Sequence, residues 1–197
     1  MPKSESSQMN PSHNYKLDDQ KDRTGKTTEH IMEGRLWAPW RMKYIESASG
    51  GEDETCFLCE NPRMEDSEAN LILHRGKLCF VIMNLYPYNN GHLMIAPYRH
   101  IGDYLEMSRD ELSEINDLTR LCVQALEATM RPHGYNIGIN LGRVAGAGVE
   151  DHIHLHIVPR WNGDTNFMPV IAETKVVSES LHEGWRRLRK AFENLVR

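Results

Sequence analysis

The chain has 197 residues, which is the size of one ordinary domain with room for a tail. Its hydrophobic share of 40% and charged share of 26% are typical of a soluble globular protein. The formal net charge of -5 argues against a nucleic-acid partner, because phosphate backbones are bound mainly by clustered Lys and Arg.

The two ends of the chain differ in composition. Residues 1–34 are polar, and such a stretch cannot bury enough apolar surface to offset the entropy lost on ordering. We therefore expect a disordered tail over residues 1–34 and a single domain over residues 35–197, with its core at about residues 55–165. No apolar run approaches the roughly 18 residues of a membrane span, and no apolar signal core is present. We expect a cytoplasmic protein that does not bind membranes.

The domain begins with three large aromatic residues between Trp37 and Tyr44. Side chains of this size favour burial, either on the core of the same chain or against a ligand or second subunit. A small-residue, acidic connector then leads to Cys56 and Cys59. In a chain without an export signal, this C-x-x-C pair indicates a metal site or a redox motif more than a structural disulfide.

Short apolar runs between turn residues predict five strands, at residues 71–73, 78–84, 92–96, 135–140 and 153–158. Pro97 and Pro159 are expected to end the third and fifth strands. Ser108 and Glu111 form the capping box of a long amphipathic helix, and a C-terminal helix is expected from Val177 onward. Strands joined by short turns around one long helix indicate an α+β domain with a mostly antiparallel five-stranded sheet.

Three histidines alternate with apolar residues just after a glycine-rich loop, residues 142–148. Because side chains of a strand alternate between faces, His152, His154 and His156 are expected to share one face at spacings of about 6–7 Å. Such a row either holds a catalytic metal or contains one nucleophilic imidazole that its neighbours position. Glycine-rich loops bring backbone amides close to phosphate, which favours phosphorus chemistry.

Two motifs carry a resemblance to the histidine triad (HIT) superfamily. Residues 152–158 match His-φ-His-φ-His-φ-φ, where φ is apolar, and residues 91–100 match Gly-His-x-φ-φ-x-Pro-x-x-His. The resemblance covers about residues 55–165 and implies a HIT-like fold. Further segments, including 75–77, 84–89 and 159–161, resemble a bacterial branch of diadenosine tetraphosphate phosphorylases.

This resemblance implies that His154 attacks the α-phosphorus of a nucleotide and forms a nucleotidyl-histidine intermediate. It places His156 and Asn140 as donors to phosphoryl oxygens. The expected nucleotide contacts are Asn84, Gly146, Ala147, Gly148 and Trp161. Inorganic phosphate would release ADP and ATP from diadenosine tetraphosphate, whereas water would make the protein a hydrolase.

The sequence leaves this choice of acceptor open. His156 stands where other transferase branches have Gln, and Gly148 lacks the Ser or Gln side chain of many relatives. A nucleotide-binding interaction module is a further alternative.

The resemblance also implies a structural zinc and a homodimer. In some branches of the superfamily, the positions of Cys56, Cys59, His100 and His152 hold zinc. A Cys2His2 set forms a closed tetrahedral site, so this metal is expected to be structural rather than catalytic. A redox C-x-x-C with His100 outside the site stays as the alternative.

Overall fold

The computed structural model describes residues 56–164 and 179–196. All of them belong to the unit Trp37–Arg197. The expected tail, the aromatic segment from Trp37 to Tyr44, the connector after it and the expected helix start at Val177 lie outside the described residues. The predicted division at residue 35 therefore stays a prediction.

A five-stranded antiparallel sheet, in the order β1-β2-β3-β5-β4, forms the centre of the described structure. The strands are β1 Ile72–Arg75, β2 Cys79–Met83, β3 Leu93–Pro97, β4 Gly134–Ile139 and β5 Leu155–Arg160. The predicted α+β fold with an antiparallel sheet is confirmed. Strands β2 and β3 are buried along their whole length, as expected for the middle of a covered sheet.

The described ranges contain three α-helices, which are α1 Phe57–Glu60, α2 Arg109–Thr129 and α3 Leu181–Leu195. Helix α2 begins with the predicted capping box, because Ser108 Oγ accepts from Glu111 N at 3.2 Å and Glu111 Oε2 accepts from Ser108 N at 2.8 Å. The α2 residues buried in the core include Ile115, Leu118, Cys122 and Leu126. None of the helices in these ranges is long and apolar enough to span a membrane.

The prediction that a proline ends the strand is confirmed for Pro97 and wrong for Pro159. Pro97 is the last residue of β3, and Pro159 lies inside β5. The Pro159 carbonyl accepts from Asn89 Nδ2 at 2.9 Å, on the side of β5 away from β4. On that side, pairing with β3 has already ended at Ile157, so the missing N–H of Pro159 costs no ladder hydrogen bond.

Strand β5 also begins two residues later than predicted, at Leu155. Of the three alternating histidines, only His156 therefore lies within a strand. The preceding segment is held beside the residues that follow β3, because Ile153 N donates to Ile101 O at 2.7 Å. Ile153 and Ile157 are buried in the hydrophobic core, and the three histidines are buried as well.

Helix α3 covers the β1 edge of the sheet. Trp185 Nε1 donates to Ile72 O at 3.0 Å, and Arg189 Nη1 donates to Leu73 O at 2.9 Å, at a point where the β1–β2 register shifts. Arg189 is partly buried and satisfies a backbone carbonyl. The opposite edge, β4, has no such cover in the described residues, and its Ile137 is 46% exposed.

Candidate active site

The hydrogen bond of His154 fixes where its proton lies. Its Nδ1 is 2.8 Å from the carbonyl oxygen of His152. A carbonyl only accepts, so Nδ1 carries the hydrogen and Nε2 of the neutral ring keeps its lone pair. Burial lowers the pKa of His154 below its usual range, and the bond to the carbonyl opposes this to a smaller extent. The arrangement therefore provides a neutral nitrogen nucleophile at neutral pH.

A fourth histidine, His92, fixes the proton of His156. The Tyr88 backbone N–H donates to His92 Nδ1 at 3.1 Å, so His92 carries its own hydrogen on Nε2. That nitrogen lies 3.0 Å from Nδ1 of His156. His156 then accepts with Nδ1 and carries its proton on Nε2, which makes it a hydrogen-bond donor.

Sequence reasoning gave His92 no chemical role, although its motif was recognised. The contact between His92 and His156 spans 64 positions of the chain and arises because β3 and β5 are neighbours. Only the pairing of these strands could have revealed it.

Gly91, the residue before His92, packs against the C-terminal end of α2. Its φ of +69° lies in the left-handed region that favours glycine. A Cβ there would lie 2.5 Å from Met130 Sδ and 3.0 Å from Leu126 Cδ2. The glycine of the Gly-His motif is therefore required both by the backbone and by close packing.

His154 and His156 line a pocket whose other lining residues are mostly aromatic or apolar. Its lining consists of Phe57, Asn84, Tyr86, Tyr88, Met94, Val149, His154 and His156. A lining of aromatic and apolar side chains with a few polar groups is suited to a planar base joined to a polar group.

Asn84, predicted to contact the ribose, lies in this pocket. Its Oδ1 accepts from Tyr86 N at 2.9 Å, and its Nδ2 lies 3.4 Å from His92 Nδ1. The residue therefore shapes the loop that carries the pocket tyrosines.

The predicted contacts Gly148 and Trp161 lie in different surroundings. Gly148 immediately precedes Val149 of the pocket wall. Trp161 follows the far end of β5 and is not among the described residues that line the pocket. Five residues of extended strand separate it from His156, a distance of about 16 Å.

The glycine-rich loop is folded on itself. The amide of Gly146 donates to Arg143 O at 2.9 Å, and that of Ala147 donates to Gly142 O at 3.3 Å. Asn140 Nδ2 donates to the carbonyl of Gly146 at 3.3 Å. Two of the expected phosphate donors thus already have acceptors within the loop, and Asn140 braces the loop.

The four predicted metal ligands converge at one point. Nδ1 of His152 lies 3.3 Å from Cys56 Sγ and 3.5 Å from Cys59 Sγ, and Nδ1 of His100 lies 3.3 Å from Cys59 Sγ. All four ligand atoms are within 4.8 Å of one another. Tetrahedral zinc, with bonds of about 2.3 Å to sulfur and 2.05 Å to nitrogen, would place such atoms about 3.6 Å apart.

The environment of these side chains also suits a cation. His152 Nε2 lies 2.9 Å from the Pro97 carbonyl, so it carries the hydrogen and leaves Nδ1 available as a ligand. Burial raises the pKa of the Cys56 thiol to about 11. A bound cation would offset that effect by favouring the thiolate.

Residues 65–163 match the sequence profile described as HIT domain. The chain belongs to the HIT family. This membership confirms the resemblance carried by residues 91–100 and 152–158.

Two curated relatives of this HIT protein have named activities. It is 39% identical over 160 residues to a Mycobacterium tuberculosis protein named AP-4-A phosphorylase, covering 78% of this chain and 82% of the relative. It is 32% identical over 93 residues to a Schizosaccharomyces pombe protein named bis(5'-nucleosyl)-tetraphosphatase [asymmetrical]. That match covers 47% of this chain and 50% of the relative.

Solved structures confirm the HIT fold. A histidine triad nucleotide-binding protein from Sulfolobus tokodaii is 27% identical with a TM-score of 0.57, covering 72% of this chain and 95% of that one. A Zn-bound histidine triad family protein from Mycobacterium smegmatis is 22% identical with the same TM-score of 0.57, covering 74% and 98%.

His152 connects the two parts of this HIT site. The ring of His152 faces the thiols of Cys56 and Cys59. Its backbone carbonyl accepts a hydrogen bond from His154 Nδ1. The orientation of the His154 ring therefore depends on a residue that also belongs to the candidate metal cluster.

Proposed function

We propose that this protein is an enzyme that transfers nucleotidyl groups through His154, and that its reaction is the phosphorolysis of diadenosine tetraphosphate to ADP and ATP. The observation that carries the proposal is the buried, neutral His154 ring with its Nδ1 proton on a carbonyl. The relative named AP-4-A phosphorylase supports the choice of substrate and acceptor.

The proposed reaction has two steps. His154 Nε2 attacks the α-phosphorus, a P–N bond forms, and the P–O bond to the departing ATP breaks. An oxygen of inorganic phosphate then attacks the same phosphorus, which forms ADP and returns the electron pair to His154. His156 donates its Nε2 hydrogen to a phosphoryl oxygen in both steps and so stabilises the charge that develops.

The remaining site residues are proposed nucleotide contacts. Asn84 is proposed to bind the ribose, and Asn140 to brace the phosphate-facing loop. Gly146, Ala147 and Gly148 are proposed as backbone donors and Trp161 as a further contact. For Gly146 and Ala147, this role requires exchanging a bond within the loop for one to phosphate.

A hydrolase with the same nucleophile is the second candidate. The inward-facing amides of Gly146 and Ala147 favour it, because fewer donors then hold inorganic phosphate as the acceptor. The relative named as a tetraphosphatase has a water-using activity by name and is also similar to this chain.

Product analysis separates these functions. The protein is incubated with diadenosine tetraphosphate, with and without inorganic phosphate, and the nucleotides are resolved by chromatography. ADP plus ATP that require phosphate establish the phosphorylase, whereas AMP plus ATP without phosphate establish the hydrolase. Binding without turnover would contradict both and indicate an interaction module.

Two variants make this experiment specific. His154→Ala should abolish turnover and an acid-labile nucleotidyl adduct. His182→Ala is the matched control, because this histidine has a 64% exposed side chain and lies outside the pocket lining. The His182→Ala variant should retain both turnover and the nucleotidyl adduct.

We also propose that Cys56, Cys59, His100 and His152 hold a structural zinc ion. The distances among their ligand atoms and the hydrogen bond from His152 Nε2 to Pro97 support this. The metal would supply a cross-link between α1 and the segment before β5, and two thiolates would neutralise its charge.

A homodimer in the cytoplasm completes the proposal. The exposed edge of β4 supports the dimer, because Ile137 and the nearby Leu141 are 46% and 51% exposed. A reducing compartment suits the location, because metal binding needs reduced thiols at Cys56 and Cys59.

A further inference from the structure

A buried carboxylate just beyond β5 collects hydrogen bonds from several elements. The side chain of Asp164 is 9% exposed. It accepts from Arg160 Nε at 2.6 Å and from Arg160 Nη2 at 2.9 Å. It also accepts from the backbone of Trp161 at 3.1 Å and from Asn89 Nδ2 at 2.8 Å. A carboxylate is suited to this, because it offers about four lone-pair sites.

Asn89 extends this network into the pocket loop, the segment of residues 84–92 that carries Tyr86 and Tyr88 of the pocket lining. Its side chain is buried, and its second amide hydrogen goes to Pro159 O at 2.9 Å. The backbone carbonyl of Asn89 accepts from the backbone N–H of His92 at 3.2 Å. Asn89 therefore fixes the pocket loop to the far end of β5.

Tyr88, the residue before Asn89, determines which ring nitrogen of His92 carries the proton. The Tyr88 N–H selects Nδ1 of His92 as an acceptor, and its ring lies 4.5 Å from the His92 ring and 5.6 Å from that of His156, between centroids. A shift of this loop would loosen the Tyr88 bond, because a hydrogen bond weakens steeply as its angle departs from linear.

We propose that Asp164, acting through Asn89, is a positioning residue that keeps the proton of His156 on Nε2. The bond from Asp164 to Asn89 holds the loop, the loop holds the Tyr88 N–H, and His92 transmits the choice of tautomer to His156. This inference rests on the proposed function, in which His156 donates to a phosphoryl oxygen.

Arg160 makes the anchor rigid. Its paired bonds to Asp164 form a fork geometry, and the hydrogen bond to Asp164 raises the pKa of the guanidinium. A third nitrogen, Nη1, donates to Asn136 Oδ1 of β4 at 2.8 Å. The Asn136 contact leads away from the pocket, so it offers a matched control.

Nitrogen-15 NMR of the histidine rings in the full chain tests this directly, because it reports which ring nitrogen is protonated. Assignments come from the signals that disappear in His92→Asn and His156→Asn. In the unaltered protein, the His156 proton is expected on Nε2. Asn89→Asp, which is isosteric but loses both donated bonds, and Asp164→Ala should each give mixed tautomers. Asn136→Ala should keep the original spectrum.

Kinetics supply the second readout. Asn89→Asp and Asp164→Ala should each lower kcat about tenfold, because misplaced donors lose transition-state contacts, and should change KM less than about threefold. The double variant should be no slower than the single ones, since both remove one pathway. If Asn89→Asp does not fold, Asn89→Ala replaces it.

The results that would overturn the positioning role differ from those that would refute the proposed function. An unchanged His156 proton in both pathway variants, or an equal effect of Asn136→Ala, would overturn the positioning role. Absence of diadenosine tetraphosphate turnover in the unaltered protein would refute the proposed function, while the spectra would still decide the tautomer question.

Discussion

At His154, burial and one backbone acceptor determine the chemical state of the ring. The pKa of His154 is lowered below its ordinary 6.5, so the charged form is disfavoured in the folded protein. Protonation of Nε2 would remove the attacking lone pair. Adduct formation should therefore be complete at neutral pH and should decline only as the pH falls through a value below 6.5.

The rate of adduct formation with diadenosine tetraphosphate, followed without inorganic phosphate from about pH 5 to about pH 8, checks this prediction. Omitting phosphate removes its own ionisation from the profile. An acid limb with its midpoint above 6.5 would contradict the assigned state of His154.

The metal cluster gives a second prediction at the scale of residues. Protein purified without chelator should contain about one zinc per chain, measured by elemental analysis. Cys59→Ser and His100→Ala should lower this content and the melting temperature, because the link between α1 and the segment before β5 is lost. His182→Ala should do neither. A metal-free chain with unchanged folding and stability would contradict the site.

Much of the residue chemistry could be predicted from the sequence. The row of alternating histidines at positions 152, 154 and 156 could be read from the sequence, although only His156 lies within a strand. The acceptor of the His154 hydrogen bond is the carbonyl of His152, two residues away, which the local backbone conformation positions. The role of His92 could not be predicted, because it depends on which strands become neighbours. The loop amides of Gly146 and Ala147 were expected to face a phosphate, but local turn formation uses them.

At the scale of elements, the start of α2 depends on one carboxylate. Glu111 accepts from Ser108 N and forms two bonds with Arg99, and the Arg99 bonds are the main reason that its pKa is lowered to about 2. Its stabilising contribution is therefore present above its ordinary 4.5 and is lost as the pH falls toward 2.

Glu111→Gln should lower the free energy of unfolding by about 1–2 kcal/mol at neutral pH. Chemical denaturation at several pH values measures the difference from the unaltered protein, which should shrink as the pH falls below 4.5. Asp110→Asn is the control, since Asp110 lies in the same first turn but is exposed. A difference that does not change with pH would show that charge on Glu111 is unimportant.

The elements were predictable where their signal is local. The capping box of α2 and the five apolar runs follow from side-chain chemistry and periodicity. The end of β3 at Pro97 was predicted, but the end of β5 was not, because a proline interrupts a strand only where its nitrogen faces a partner. For Pro159 the partner strand has already ended, which is a property of the assembled sheet.

At the scale of the whole molecule, the two edges of the sheet differ. Helix α3 covers β1 with Trp185 and Arg189, whereas β4 is exposed in the described part of the chain. An exposed edge with apolar side chains is a template for pairing with another chain. We therefore expect the proposed homodimer to use β4.

Ile137→Lys should shift the protein toward the monomer, because a charge on an edge strand opposes pairing. Light scattering across a range of concentrations measures the mass. Leu105→Lys is the control, since Leu105 is 88% exposed but lies outside the sheet. A dimer that survives Ile137→Lys and is lost in Leu105→Lys would place the interface elsewhere.

The double use of His152 limits what side-chain replacement can reveal about this site. Alanine at this position deletes the ring and its anchor on the Pro97 carbonyl, but the oxygen that accepts the His154 proton belongs to the main chain and remains. Residual turnover in such a variant would measure how firmly the peptide is held without the imidazole. It would not measure the value of the acceptor itself, which only backbone chemistry, such as an ester in place of the amide, could alter.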